Sequence, residues 1–217
     1  MQTLKDENRG LALDEDYAFF IKQFGAPTTR QEVPESSVAR YENKLPGQLI
    51  EYWKEFGWCG YGDGLFWTVN PQEYEAVLAQ WLVDTELYHQ DNYYVIARSA
   101  FGDLYVWGEK SGYCVTIAAY MARFSTRVSI FTGEKLDFGV RVFFSSMDPD
   151  YNDLDFLFKP AVEKLGKLKA DEMYGLVPAL ALGGSIDLEH VEKVKTIEYL
   201  EFLSQLSPLT DWDFPKI

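Results

Sequence analysis

The sequence predicts an α+β fold: a central antiparallel sheet flanked by helices, in two closely packed subdomains. Three observations carry this. The runs "YYVIARS", "LYVWGE" and "YCVTIAAY" are rich in aromatic and β-branched residues, and "FGD" and "KSG" separate them, which is the pattern of a β-meander. Apolar residues recur at helical spacing on both sides of that run. No flexible spacer, internal repeat or low-complexity stretch interrupts the 217 residues, so the join, placed within 124–134, is a packed one.

Taken in order, Asp14 to Phe24 predicts a helix with Ala18, Ile21 and Phe24 on one face and Phe20 beside them. Gly25 and Pro27 stop it. A second helix starts near Pro46, carries Leu49, Trp53 and Phe56, and ends at Gly57. The loop "CGYGDG" then leads into a strand, "LFWTV". Asn70 caps the next helix, with Pro71 at its first position and Glu73 at its third. Val77, Leu78, Trp81 and Leu82 form its buried side. In the meander, Gly102 and Gly112 are turn glycines. "KLDFGVRVFFSSM" fits period 2 and period 3.6 about equally and stays open. After an acidic loop come a helix around Pro160 to Leu165, stopped by Gly166, and extended pieces at "MYGLVPAL" and "EKVK". A last helix, about Thr196 to Leu206, sets Ile197, Leu200, Leu203 and Leu206 on one stripe. Trp53, Phe66, Trp67, Trp81 and Trp107 are expected in the core.

Lys and Arg total 20 against 34 Asp and Glu, a net charge of −14. Such a surface repels phosphate backbones and anionic membranes, and it attracts a basic protein. The two cysteines, Cys59 and Cys114, sit in apolar surroundings and read as buried, reduced thiols. "MQTLKDENRG" lacks the apolar core of a signal peptide, and "LVPALAL" is too short to span a bilayer. The expectation is a soluble cytoplasmic protein.

The motifs that would mark an enzyme or a cofactor are incomplete. In "SSMDPDYNDLDFLFKP", Asp148, Asp150 and Asn152 match the first three ligand positions of a calcium loop, but Asp153 replaces the turn glycine and Lys159 the bidentate glutamate. The glycines of "CGYGDGLF" leave a helix and enter a strand, the reverse of a dinucleotide loop, and Leu65 stands where a Walker loop needs lysine. Neither His89 nor His190 has a partner at zinc-ligand spacing. No GxSxG elbow occurs. The expectation is therefore a non-enzyme without cofactor or metal.

Charge is also segregated. From Glu55 to Ala97 there is no Lys or Arg, and the stretch holds seven acids and ten aromatics. Arg98 to Phe144 carries six basic residues against four acids. Carboxylates that steer a basic partner, beside Tyr and Trp that give rigid contact area, suit a protein-binding face. Candidate partner-binding residues are Trp58, Tyr61, Asp63, Asp84, Glu86, Tyr88 and Asp91, with Asp148, Asp150, Asp153 and Asp155 as an acidic rim.

"KLPGQLIEYWKEFGWCGYGDGLFWTVNPQEYEAVLAQW" and "SAFGDLYVWG" resemble the GAD-like domain. "LFKPAVEKLGKLKADEMYGLVPALALGGSIDLEHVEKVKTIEYLEFLSQL" is similar to the C-terminal domain of type VI secretion immunity proteins. On this resemblance, residues 10–125 form the first domain and residues 126–210 the second. It implies an antitoxin that binds and neutralises a cognate nuclease toxin, a basic protein and typically a DNase. It supplies no catalytic residue, and its motif residues Gly175, Pro178, Gly183 and Gly184 read as structural. Two other readings stay open at this point: a scaffold module with a non-toxin partner, and a hydrolase or ligand binder with a pocket at His89 or Cys59.

Overall fold

Asp14 opens the first helix as its N-cap. Its Oδ1 accepts from the amides of Asp16 and Tyr17, and its Oδ2 accepts from the Tyr52 hydroxyl at 2.5 Å. The structure, a computed structural model, describes residues 13–212. The N-terminal decapeptide and the first residues of the predicted 10–125 domain lie outside them. The helix α1 (Glu15–Phe24) is followed by β1 (Thr28–Gln31), α2 (Glu35–Tyr41), α3 (Gly47–Phe56), β2 (Trp58–Tyr61), β3 (Phe66–Thr68) and α4 (Pro71–Leu82). The meander is β4 (Tyr93–Ser99), β5 (Asp103–Gly108), β6 (Gly112–Ala118) and β7 (Arg123–Thr126). Then come α5 (Leu136–Ser145), α6 (Pro149–Asn152), α7 (Phe158–Leu165), β8 (Glu172–Leu176), β9 (Val191–Lys195), α8 (Thr196–Leu206) and β10 (Thr210–Asp211).

Strands β1 to β7 lie in sequence order in one sheet, each antiparallel to the next. The chain end adds β10 beside β7, and that pairing is parallel. The sheet is therefore mixed at this one edge. β8 and β9 form a separate antiparallel hairpin. The predicted α+β architecture of a sheet flanked by helices holds. Neither β1 nor α2 is predicted by the sequence. β1 reads "TTRQ" and is exposed throughout, so it shows no alternation.

Alternation along each strand sends neighbours to opposite faces. On one face Phe66 packs against Phe20 of α1 and against Phe143 and Phe144 of α5. The open segment "KLDFGVRVFFSSM" thus resolves as a helix, because Val140, Phe143 and Phe144 must meet this aromatic layer together. Its Asp137 accepts from the Gln48 amide at the start of α3, and its Arg141 pairs with Asp16. On the other face α4 packs against β4 and α8. All five residues expected in the core are buried.

The second subdomain docks on the β4–β5 turn. Ala100 accepts from the Tyr174 amide at 2.9 Å, and the Phe101 and Tyr174 rings lie 5.7 Å apart. A Cβ on Gly175 would approach the Tyr199 ring to 2.8 Å, and one on Gly184 would meet the Pro178 carbonyl oxygen at 1.8 Å. Those motif glycines serve close packing, and Gly183 takes φ 88° at the end of a short helical turn. Helix α5, which follows the predicted join, packs on the sheet of the first subdomain. The boundary in sequence is not a boundary in the core.

Candidate functional site

The acidic loop folds as a cap, a short helix and a strained turn. Asp148 Oδ1 accepts from the Asp150 amide and starts α6, with Pro149 at its first position. Asn152 is buried: its amide donates to the Asp148 carbonyl, and its oxygen accepts from the Tyr105 hydroxyl at 2.8 Å. This bond ties the loop to the sheet. Asp153 accepts from the Phe158 amide at 2.6 Å; partial burial raises its pKa, partly offset by that bond. Asp155 and Phe156 follow with φ of 50° and 64°. Two successive non-glycine residues in the left-handed region cost about 1–2 kcal/mol each. The strain presents Phe156, 77% exposed, while Tyr151 is 83% exposed.

Of the predicted rim, Asp148, Asp150, Asp153 and Asp155 are thus brought together, with Asp150 and Asp155 most open to solvent. Tyr151 and Phe156 are not among the residues predicted from the sequence. The available signal is their position inside an acidic run, where an aromatic has no core to join.

The remaining candidates separate from this loop. Trp58 and Tyr61, predicted at a partner-facing surface, are 5% and 0% exposed. The physical reason is that β2 lies inside the sheet and is covered by aromatics. Trp58 meets Trp53 edge-on at 5.7 Å, and Tyr61 exchanges a 2.7 Å hydrogen bond with Tyr17. Asp63 is exposed and pairs with Lys167 of the second subdomain. Asp84, Glu86 and Tyr88 are exposed after α4, and Tyr88 stacks edge-on with His89. Asp91 accepts from Asn92, Lys110 and Ser111; partial burial works against its charge, but these bonds hold its pKa below the ordinary value. It shapes the β5–β6 turn.

Asp84, Glu86, Tyr88 and Asp91 belong to the connection that reaches the Gly108 end of β5. Tyr61 pairs with Phe66 and Asp63 follows it at the opposite end of the sheet, and the acidic loop lies near Asp103 and Tyr105, away from the Asp84–Asp91 group. A strand of that length separates the two groups by roughly 17–20 Å. They are two surfaces, not one.

Beside the loop is a cleft of about 350 Å³, lined by residues of β5, β6 and β7, the end of α5 and the loop itself. Asp103 and Tyr105 project into it from one face of β5. Ser99 donates to Asp103 Oδ2 at 2.7 Å, and burial pushes the Asp103 carboxyl up to about 6. Arg127 lies 4.3 Å over the Tyr113 ring and donates to its hydroxyl at 3.3 Å.

Cys59 and Cys114 are free and buried, and burial raises both thiols. Among the described residues no group of three or more His, Cys, Asp or Glu is placed to hold a metal ion. Nor is any helix there long and apolar enough to cross a membrane.

Comparison with known proteins follows the two subdomains. Residues 15–121 match the model of the GAD-like domain, and residues 137–207 match that of the T6SS immunity protein Tdi1, C-terminal. No curated protein matches the chain. Among solved structures it is similar to Atu4351 from Agrobacterium tumefaciens, with a TM-score of 0.80 at 22% identity over 92% of this chain and 94% of that one. That likeness supports the fold.

Proposed function

We propose that this chain, which carries a GAD-like domain followed by a T6SS immunity protein Tdi1 C-terminal domain, is a type VI secretion immunity protein that neutralises a nuclease toxin by binding it. The toxin is a DNase, and inhibition is stoichiometric and cytoplasmic.

The observation that carries the reading beyond the family match is the acidic loop. It is built to hold Tyr151 and Phe156 out in solvent between carboxylates. A DNase must present basic surface to bind DNA. A protein of charge −14 is drawn to that surface, and the carboxylates orient it. The exposed rings then supply contact area with few rotors to freeze. Nothing in this mode requires a catalytic residue on the inhibitor.

The test is co-expression with the nuclease domain of its cognate type VI effector. Rescue of growth, with a stable complex that no longer cleaves DNA, is the expected result. A chain that neither rescues growth nor binds that nuclease would overturn the proposal.

A further inference from the structure

The cleft next to the loop contains a charge that the fold does not neutralise. Asp103 is the first residue of β5, and its carboxylate accepts one hydrogen bond, from Ser99. The turn it belongs to is held by Ser99, whose hydroxyl accepts from the amides of Phe101 and Asp103. A neutral asparagine at 103 would keep that turn. Among the described residues Asp103 has no ion-pair partner, and Arg127, the cation on the cleft wall, is occupied by Tyr113. The titratable groups near Asp103 are Tyr105, Tyr113 and Tyr120, and Asp148 and Tyr151 line the same cleft. None of these side chains can carry a positive charge. A desolvated carboxylate costs stability unless a cation reaches it. Such groups concentrate at functional sites.

We infer that this cleft receives an arginine side chain of the bound toxin, with its guanidinium against Asp103 and Asp148 and its plane between tyrosine rings. The inference rests on the immunity reading and names the recognition chemistry of the same face. The cleft already shows a guanidinium on a tyrosine, since Arg127 lies 4.3 Å from the Tyr113 ring centre and donates to its hydroxyl. Arginine suits the site better than lysine because it stacks on aromatic faces and donates in a fork to a carboxylate. The volume of about 350 Å³ accommodates one such side chain without displacing the walls.

The test uses the full chain and the Asp103→Asn variant, which keeps the shape and the Ser99 bond. Binding of each to the cognate nuclease domain is measured by surface plasmon resonance. The expected result is a loss of about 30-fold or more in affinity, mostly in dissociation rate, in a variant that melts no lower than the parent. If the parent binds and Asp103→Asn binds within twofold, the cleft inference is overturned and the immunity reading stands. A second arm needs no toxin: N-acetyl-arginine amide is titrated by NMR into both proteins. Shifts of the Thr116 and Ser125 amides in the parent, absent in Asp103→Asn, support the cleft even where the nuclease fails to bind. No shift in the parent overturns it.

Discussion

Arg98 Nη2 donates to the main-chain oxygen of Glu172 at 2.8 Å, and this bond fastens β4 to the second subdomain. The same nitrogen reaches the Ala170 carbonyl at 3.0 Å, Nη1 reaches Ser99, and the guanidinium lies 5.0 Å from the Trp67 ring. Arg98 is fully buried, and three main-chain carbonyls accept from it. The turn that follows, Ser99 to Asp103, presents Ala100 and Phe101 to Tyr174 and presents Asp103 to the cleft. One turn therefore holds both the seam and the candidate site.

Removing Arg98 should open the seam. Arg98→Ala strips three carbonyls of their donor and leaves a void beside Trp67, at a cost of about 3–5 kcal/mol. Urea denaturation measures it. A change below about 1 kcal/mol would show that the seam is held elsewhere.

Asp14 joins three helices through its cap, the Tyr52 hydroxyl and Arg141. Asp14→Ala should cost about 2–3 kcal/mol. The exposed pair Asp63–Lys167 has comparable geometry but lies in solvent, so Asp63→Asn should cost less than about 1 kcal/mol. Thermal denaturation of both variants under one condition separates a half-buried network from a solvated contact.

The carboxyl of Asp103 makes stability depend on pH in a predictable direction. Burial raises its folded-state pKa to about 6, above the ordinary aspartate value near 3.9. The folded protein then holds the proton more tightly than the unfolded chain. Its stability falls as pH rises from about 4 to 6, and the penalty is complete above that range. Asp103→Asn should therefore melt higher at pH 7.5, by roughly 4–8 °C for about 2 kcal/mol. The gain should shrink on going to pH 5. Calorimetry at the two pH values checks the sign.

The acidic loop should divide association from dissociation. Asp150→Asn with Asp155→Asn removes open carboxylates and should slow association with the nuclease, more so at low salt. Tyr151→Ala and Phe156→Ala should instead speed dissociation, each at about 1–2 kcal/mol. Stopped-flow association at two salt concentrations distinguishes the effects. Rates equal to the parent's for the double variant and both single variants would make the loop plain surface.

Much of the fold was legible because local chemistry and packing agree. The Asn70–Pro71 start of α4, the glycine stops after Phe24 and Phe56, and the meander turns need no distant partner to form. The ambiguous segment from Lys135 needed the sheet, since Phe143 and Phe144 satisfy either period until an aromatic face is present for both. At the site, the sequence showed where acids cluster but not which aromatics are covered. Trp58 and Tyr61 sit among acids in the sequence yet face the core, because β2 is an inner strand. Asp103 gave no signal of its own, being one aspartate after a turn glycine. Its significance arises from the cleft that it shares in space with Tyr105, Tyr113 and Asp148.

The most direct measurement is a titration of the nuclease's DNA cleavage with this purified chain. The account predicts that cleavage falls linearly and reaches zero at one equivalent, with no turnover of the toxin or the DNA by the inhibitor. Undiminished cleavage at excess inhibitor, or inhibition at far below one equivalent, would contradict it.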